Sequence, residues 1–250
     1  MFRACWAAPR RHGRTSWPST AASGSEHPIP TSHPRSTQEK DMSISIIGAG
    51  NVGMALGSAL TRRGESVVFG VPDPGKYRDA VSALGDRARV TTTAQAIDAS
   101  DVVILAVPYA ALPVIAQSVS DWQGKILVDA TNPLAPGLNG LLVGTTTSGA
   151  EELAKLAKGA RVVKAFNTTG AENMADSHYP DGVPMMPVCG DDADARQRVM
   201  ALATLIGFDA VDLGPLMAAR YLEPFAMTWI HLALKQGYGR QFAFGLLRRG

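Results

Sequence analysis

The chain lacks most of the features that mark a chemistry from sequence alone. Its 250 residues hold two cysteines, Cys5 and Cys189, too few for a disulfide framework and without the Cys/His spacing of a zinc site. A reducing, cytoplasmic setting is therefore expected, with no metal ligands. Five histidines are present, but His12, His27 and His33 precede residue 42, which leaves His178 and His231. There is no G-x-S-x-G element and no lysine in a recognisable catalytic setting. The formal net charge is only +2, and much of the positive excess lies in residues 1–41 and at Arg248 and Arg249. That argues against a basic groove for nucleic acid. No apolar run approaches the roughly 20 residues of a membrane span, so no membrane partner is expected.

What is present begins at Ser43. Ser43 to Gly53 reads Ser-Ile-Ser-Ile-Ile-Gly-Ala-Gly-Asn-Val-Gly, a short β-branched run ending in G-x-G-x-x-G. A helical stretch, Val52 to Arg63, follows. Strand, glycine turn and helix in this order receive a dinucleotide pyrophosphate. Gly48 permits the tight turn, Gly50 lets the backbone approach the phosphates, and Gly53 lets helix and strand pack closely. The free N–H groups of Asn51 and Val52 and the positive end of the helix dipole then face the anion. The alternative is a tight strand–helix turn with no ligand.

Residues 1–41 are unlike the rest. They hold five of the 16 prolines, are rich in Ser, Thr and Arg, and show no apolar periodicity. Such a segment cannot bury enough apolar surface to offset its ordering entropy. Met42 is expected to be the natural start, with residues 1–41 a disordered leader. The alternative is a transit peptide, for which the arginines Arg3, Arg10, Arg11, Arg14 and Arg35 speak and the prolines do not.

From residue 42 the chain alternates strand and helix. Strands are expected at Ser66–Gly70, Arg89–Thr92, Asp101–Val107, Lys125–Asp129 and Arg161–Phe166, with helices at Lys76–Leu84, Thr93–Ser100 (Thr93 as a possible cap), Ala110–Val119 and Glu151–Lys158. Asp101–Val107 is almost wholly apolar, as a parallel strand buried on both faces requires. The pattern predicts an α/β fold, a doubly wound parallel Rossmann sheet over 42–168, with a small C-terminal domain over 169–250. That second part holds brief strands at Pro187–Gly190 and Ala210–Leu213. The acids Asp191, Asp192 and Asp194 open a helix to about Ile206, a capping role rather than a metal site. A long helix runs from Leu216 to about Gln236. The tail from Gly237 carries Phe242, Phe244, Leu246 and Leu247, apolar surface expected to pack on a partner subunit in a homodimer.

The second strand's tip decides which dinucleotide. NAD sites usually place Asp or Glu there to hold the ribose 2′-OH. Here the tip is Gly70-Val71-Pro72, and Asp73 follows too late in the turn. The absent carboxylate removes the main repulsion against a 2′-phosphate, and Lys76 and Arg78 follow closely. NADP(H) is therefore favoured; the alternative for both cations is a solvated helix face. Asn132-Pro133, after the fifth strand, lies where the carboxyl ends of a sheet meet ligand, or else forms a plain turn. His178 falls in a loop and His231 reads as a packed mid-helix residue. Cys189 reads as a small buried residue.

Taken together, these features resemble the NADPH-dependent coenzyme F420 reductase family, over about Met42 to the C-terminus. The residues that carry the resemblance are Gly48–Gly53, Ala-Val-Pro (Ala106 to Pro108), Lys-Ala-Phe-Asn-Thr (Lys164 to Thr168), Pro-Val-Cys-Gly-Asp-Asp (Pro187 to Asp192) and Gly-Pro-Leu-(x)3-Arg-(x)2-Glu (Gly214 to Glu223). The resemblance implies a Rossmann domain with a small C-terminal domain, commonly dimeric. It implies that Gly50 to Val52 meet the pyrophosphate and that Ala106, Val107, Pro108 and Tyr109 pass beside the nicotinamide ribose. It also implies a cleft for the second ring system, F420 or a flavin, near Asn167, Thr168, Pro215 and Leu216. The family often has Ser/Thr-Arg at the second strand tip; here Val71-Pro72 stands there, and the following lysine is kept as Lys76.

Hydride transfer between two stacked rings needs orientation more than an acid/base pair. The sequence offers no such pair, so no catalytic residue is assigned. Two other readings share the first half of the chain. An imine reductase resembling pyrroline-5-carboxylate reductase needs a larger helical substrate domain than the stretch after Phe166 provides. A non-catalytic NADP(H) sensor predicts binding without turnover.

Overall fold

The computed structural model describes residues 43–249. The expectations for residues 1–41, and for Met42 as the start, lie outside the described residues. The described residues all fall within one compact unit.

The elements alternate as expected. They are β1 (Ile44–Ile47), α1 (Asn51–Arg62), β2 (Val67–Val71), α2 (Pro74–Ser82), β3 (Ala88–Thr92), α3 (Thr93–Asp98), β4 (Val102–Leu105) and α4 (Leu112–Gln117). Then come β5 (Ile126–Asp129), α5 (Gly149–Leu156), β6 (Arg161–Lys164), α6 (Ala171–Ala175), β7 (Met185–Gly190), α7 (Ala193–Leu205), β8 (Asp209–Asp212) and α8 (Ala219–Leu234). The eight strands form one sheet in the order β3-β2-β1-β4-β5-β6-β7-β8. β1 to β6 are parallel. The strand order reverses between β1 and β4, the topological switch point where ligands bind in such sheets.

Alternate strand residues feed two cores. Ile46, Phe69, Ile104, Val128 and Val163 face one way, onto α1 and α7. Val68, Val103, Leu105, Leu127 and Val162 face the other, with residues of α3, α4, α5 and α8. Burial on both faces is why these strands read as continuous apolar runs. On the first face α1 lies very close to β2. A Cβ at Gly57 would come within 2.2 Å of the Phe69 ring.

Several boundaries differ from expectation for local reasons. Thr92, not Thr93, caps α3: its hydroxyl accepts from the Gln95 N–H in a capping box. The helix expected over Ala110–Val119 is a 3₁₀ turn, Tyr109–Ala111, followed by α4 with a proline in its first turn. Likewise Leu216–Ala218 is a 3₁₀ turn leading into α8. α6 was not expected at all.

The chain crosses the expected boundary at residue 168 without leaving the sheet. β7 pairs antiparallel with β6, and β8 runs parallel to β7. The carboxyl ends of β7 and β8 therefore point to the rim opposite that of β1–β6. The tail forms no helix over 237–249. It folds back on its own chain. The Phe244 ring packs tilted against Phe225 of α8, with ring centres 4.6 Å apart, and the Phe244 carbonyl accepts from the Met185 N–H at the start of β7. The Phe242 carbonyl accepts from Trp229 Nε1 and Asn173 Nδ2, both at 2.8 Å. These backbone groups would otherwise go unpaired beside apolar surface, which is what draws the tail inward. Leu246 and Leu247 stay exposed.

Candidate functional site

The glycine turn has the geometry a dinucleotide needs. Gly48 adopts φ +103°, and a Cβ there would lie 2.5 Å from the Ala106 carbonyl oxygen. A Cβ at Gly53 would lie 2.0 Å from the Gly48 carbonyl oxygen. Neither position admits another residue without moving the backbone. Gly50 differs. It is the N-cap of α1, and a Cβ on it meets nothing within 4 Å. Space is left there for something to approach the backbone.

The helix ends show what α1 leaves open there. α2 is capped by Asp73, α5 by Ser148 and α7 by Asp192, each through a side-chain oxygen on a first-turn N–H. α1 has no side-chain cap and no acid in its first turn, and Gly50 and Asn51 are exposed. Four orphan N–H groups and the positive dipole end thus open at the switch point, beside Val52 and Gly53. These residues suit a pyrophosphate.

At the β2 tip, Val71 is buried and Pro72 exposed. The Asp73 carboxylate accepts from the Gly75 N–H at 3.0 Å as the cap of α2, so it is engaged away from the tip. Lys76 is exposed on the first turn of α2, its ammonium 5.6 Å from the Tyr77 ring centre, and Arg78 is exposed two residues on. The tip is acid-free with cations next to it.

Ala106 to Tyr109 leave the end of β4 across the switch point. The Ala106 N–H donates to the Ile47 carbonyl at 2.9 Å, and Val107 lies against Gly48. Pro108 starts the 3₁₀ turn that carries Tyr109. The Tyr109 hydroxyl donates to Glu152 Oε2 at 2.6 Å. Burial, and then this carboxylate, push the phenol well above its ordinary pKa.

The β5 and β6 ends meet through two amides. Asn132 Nδ2 donates to the Asn167 carbonyl and Asn167 Nδ2 to Asn132 Oδ1, both at 2.9 Å. Asn167 also donates to the Leu222 carbonyl on α8 at 3.3 Å. Phe166 holds φ +59°, an uncommon conformation for a bulky residue, and its N–H donates to Met186 Sδ at 3.2 Å. This bend turns Asn167 toward Asn132. Thr168 is buried beside Met186. Two buried oxygens here, Asn167 Oδ1 and Thr131 Oγ1, have no partner.

Beneath this rim lies a charged cluster. Lys164 is 0% exposed, with its ammonium 2.8 Å from Asp129 Oδ2, 3.1 Å from Glu223 Oε1 and 2.6 Å from the Thr131 carbonyl. Burial alone drives the ammonium's pKa down, but the two carboxylates outweigh it and hold it above the ordinary lysine value. Asp129 also accepts from the Thr131 N–H, and Glu223 from the Gly149 and Ala150 N–H groups that open α5. One cation and two anions, with the helix dipole of α5 offsetting the excess charge, leave no uncompensated ion. On the next turn of α8, Arg220 holds Glu151 through two hydrogen bonds, at 2.9 and 2.7 Å. That pairing lowers the Glu151 carboxyl's pKa.

The structure thus brings Gly48–Gly53, Val71–Lys76, Ala106–Tyr109, Asn132, Asn167 and Thr168 to the carboxyl rim of the parallel strands. It does not bring Pro215 and Leu216 there, which corrects the expected cleft. The Gly214 carbonyl accepts from the Gly190 N–H; Gly190 pairs with Val163, one residue before the end of β6, and the chain runs on from there toward Arg161, whose guanidinium pairs with Asp192. The antiparallel course of β7 carries this turn away from the rim. Pro215 is exposed, while Leu216 is buried with its N–H on Asp191. His231 is exposed and paired with Gln236 rather than packed. His178 is exposed in its loop. Cys189 is fully buried, its thiol pushed up to about 12 chiefly by burial. Among the described residues, no group of three or more His, Cys, Asp or Glu side chains is placed to hold a metal. No described helix is long and apolar enough to cross a membrane.

Sequence reasoning gives no role to Asp129 or Glu152, and it reaches Glu223 only as the closing residue of the Gly214–Glu223 motif. A signal existed for Glu223. It stands three residues after Arg220, and such a pair shares a helix face.

Comparison with known proteins follows the same outline. The model of the family "NADP oxidoreductase coenzyme F420-dependent" matches residues 43–133. Rat metalloreductase STEAP3 is 32% identical over 183 residues, 72% of this chain and 35% of that protein. The chain thus spans about a third of the length of the curated relatives it matches. A hypothetical protein of Sinorhizobium meliloti has a solved structure that is 31% identical, with a TM-score of 0.67 over 83% of this chain and 96% of that one. A protein of Arthrobacter sp. FB24 described as an F420-dependent NADP reductase is 29% identical, with a TM-score of 0.73 over 83% of this chain and 100% of that one.

Proposed function

The chain belongs to the family of coenzyme F420-dependent NADP oxidoreductases, and from that membership we propose that it passes hydride between NADP(H) and a planar ring acceptor of the deazaflavin or flavin kind. The observation that carries the reading is the pairing of an open, uncapped α1 N-terminus with a rim that presents amides instead of an acid/base pair. Gly50, Asn51 and Val52 take the pyrophosphate on backbone N–H groups. Val71 and Pro72 present no carboxylate to a 2′-phosphate, and Lys76 supplies a cation. Ala106 to Tyr109 border the nicotinamide ribose. Asn132, Asn167 and Thr168 line the side from which the acceptor ring stacks.

When bound, the nicotinamide supplies the hydride and the chain supplies orientation. Lys164, Asp129 and Glu223 satisfy one another in a dry interior, so they hold the rim's shape and are not available to move a proton. Two copies of the chain are proposed to form a homodimer.

Stopped-flow absorbance at the reduced-nicotinamide band tests the reading, with F420, FMN, FAD and a chelated ferric ion offered in turn. NADPH oxidation with a ring acceptor is expected. Reduction of the ferric complex alone would move the chain toward the chemistry for which STEAP3 is named. Reduction of a cyclic imine and of no ring would overturn the proposal.

A further inference from the structure

Glu223 joins two parts of the rim that are far apart in sequence. It is wholly buried on α8, and its carboxylate takes three donors: Lys164 Nζ at 3.1 Å, the Gly149 N–H at 2.9 Å and the Ala150 N–H at 3.2 Å. The last two are the first amides of α5. Glu223 therefore acts on α5 from another helix as a capping acid acts within one, with a full negative charge at the positive dipole end. The first turns of α5 carry that placement to Tyr109. The Tyr109 ring lies against Gly149, where a Cβ would come within 2.8 Å of it. The Tyr109 hydroxyl donates to Glu152 at 2.6 Å. Arg220 holds the intervening Glu151.

We propose that Glu223 is a positioning residue for the nicotinamide half of the dinucleotide: through the first turns of α5 it fixes Tyr109 and, with it, the Ala106–Tyr109 segment. The proposal rests on the reading of that segment as the nicotinamide border. The adenine half of the site is shaped by other bonds, the Gly48 N–H on the Gly70 carbonyl at 2.9 Å and Asp73 on the Gly75 N–H at 3.0 Å. Loss of Glu223 should therefore be felt by one half of the ligand and not by the other.

Two probes separate the halves. NADPH carries the nicotinamide; 2′-phospho-ADP-ribose is the same molecule without it. Calorimetric titration of the full chain is expected to show the Kd for NADPH rising on the order of tenfold in Glu223→Gln, with the Kd for 2′-phospho-ADP-ribose unchanged. Tyr109→Phe removes only the outermost bond of the relay and should give the same pattern with a smaller shift. It decides the matter should Glu223→Gln fail to fold. Equal weakening of both probes, or no weakening of NADPH, overturns the proposal. Wild-type chain that binds neither probe overturns the dinucleotide reading itself, and the positioning role with it.

Discussion

Asn132 and Asn167 grip each other twice, each amide nitrogen donating at 2.9 Å to an oxygen of the other residue. The pair ties the end of β5 to the end of β6 at the rim where the acceptor ring is proposed to stack. The two side chains are coupled: without the Asn132 amide the Asn167 carbonyl loses this donor and Asn167 Nδ2 keeps only the Leu222 carbonyl, and without the Asn167 amide Asn132 Oδ1 loses its donor. In a double-mutant cycle of Asn132→Ala and Asn167→Ala, each single change should cost about 1–3 kcal/mol. The double should cost less than their sum by about 1 kcal/mol or more. Urea unfolding monitored by circular dichroism measures this. Strict additivity would show that the two amides do not act as a unit.

Gly50 and Gly53 sit three residues apart in one motif, yet their substitutions should fail differently. A methyl at Gly53 meets the Gly48 carbonyl oxygen at 2.0 Å, so Gly53→Ala must displace the turn itself. The melting temperature should drop along with NADPH affinity. At Gly50 a side chain enters open space. Gly50→Asp should therefore fold with its melting temperature within a few degrees of wild type, while the carboxylate repels the pyrophosphate and weakens NADPH at least about tenfold. Thermal melts beside fluorescence titration separate the two cases. Unchanged NADPH affinity in folded Gly50→Asp would remove the site from this turn.

The contrast marks what a single sequence can carry. The glycine turn was legible because all its constraints are local: a β-branched strand, three glycines and a helix within eleven residues, Ser43 to Gly53. The parallel strands were legible because burial on both faces leaves runs such as Val102–Leu105 unbroken. The charged cluster was not. Lys164 and Asp129 close their strands as charged residues, and nothing nearby says that the compensating carboxylate arrives from α8, at Glu223. The misplaced Pro215 and Leu216 have a similar cause. Strand direction is set by pairing partners, not by the composition of a short strand, so the reversal at β7 was invisible. α6, with five residues, is too short to show periodicity.

Lys76 tests the choice of dinucleotide. The β2 tip carries no acid, and the Asp73 carboxylate is engaged on α2. Discrimination against NADH then depends on a cation reaching the 2′-phosphate. Lys76→Glu should lower the ratio of NADPH to NADH affinity about tenfold or more, at low salt, with little change in stability because the residue is exposed. Arg78→Glu, two residues along, should have a smaller effect. An unchanged ratio in Lys76→Glu would mean that another group reads the phosphate.

The buried ammonium of Lys164 should govern alkaline stability. Its pKa in the folded chain stands above the ordinary value because Asp129 and Glu223 outweigh burial. A group raised on folding binds its proton more tightly in the native state. Its contribution is fully present below the unfolded value, about 10.4 for lysine, and is lost as pH rises through the higher folded value. The Tyr109 phenol and Cys189 thiol are also raised, so they add to the loss in the same direction. Wild-type melting temperature should therefore begin to fall near about pH 9, where an unfolded thiol ionises, and fall steeply above about pH 10, where the unfolded phenol and ammonium also titrate. Lys164→Met keeps the volume but leaves two buried carboxylates without their cation, so it should cost about 3–5 kcal/mol at neutral pH. Because the variant has already lost the ion pair, its melting temperature should fall less between pH 9 and 11.5 than that of wild type. Parallel alkaline slopes in the two proteins would show that Lys164 does not carry the transition.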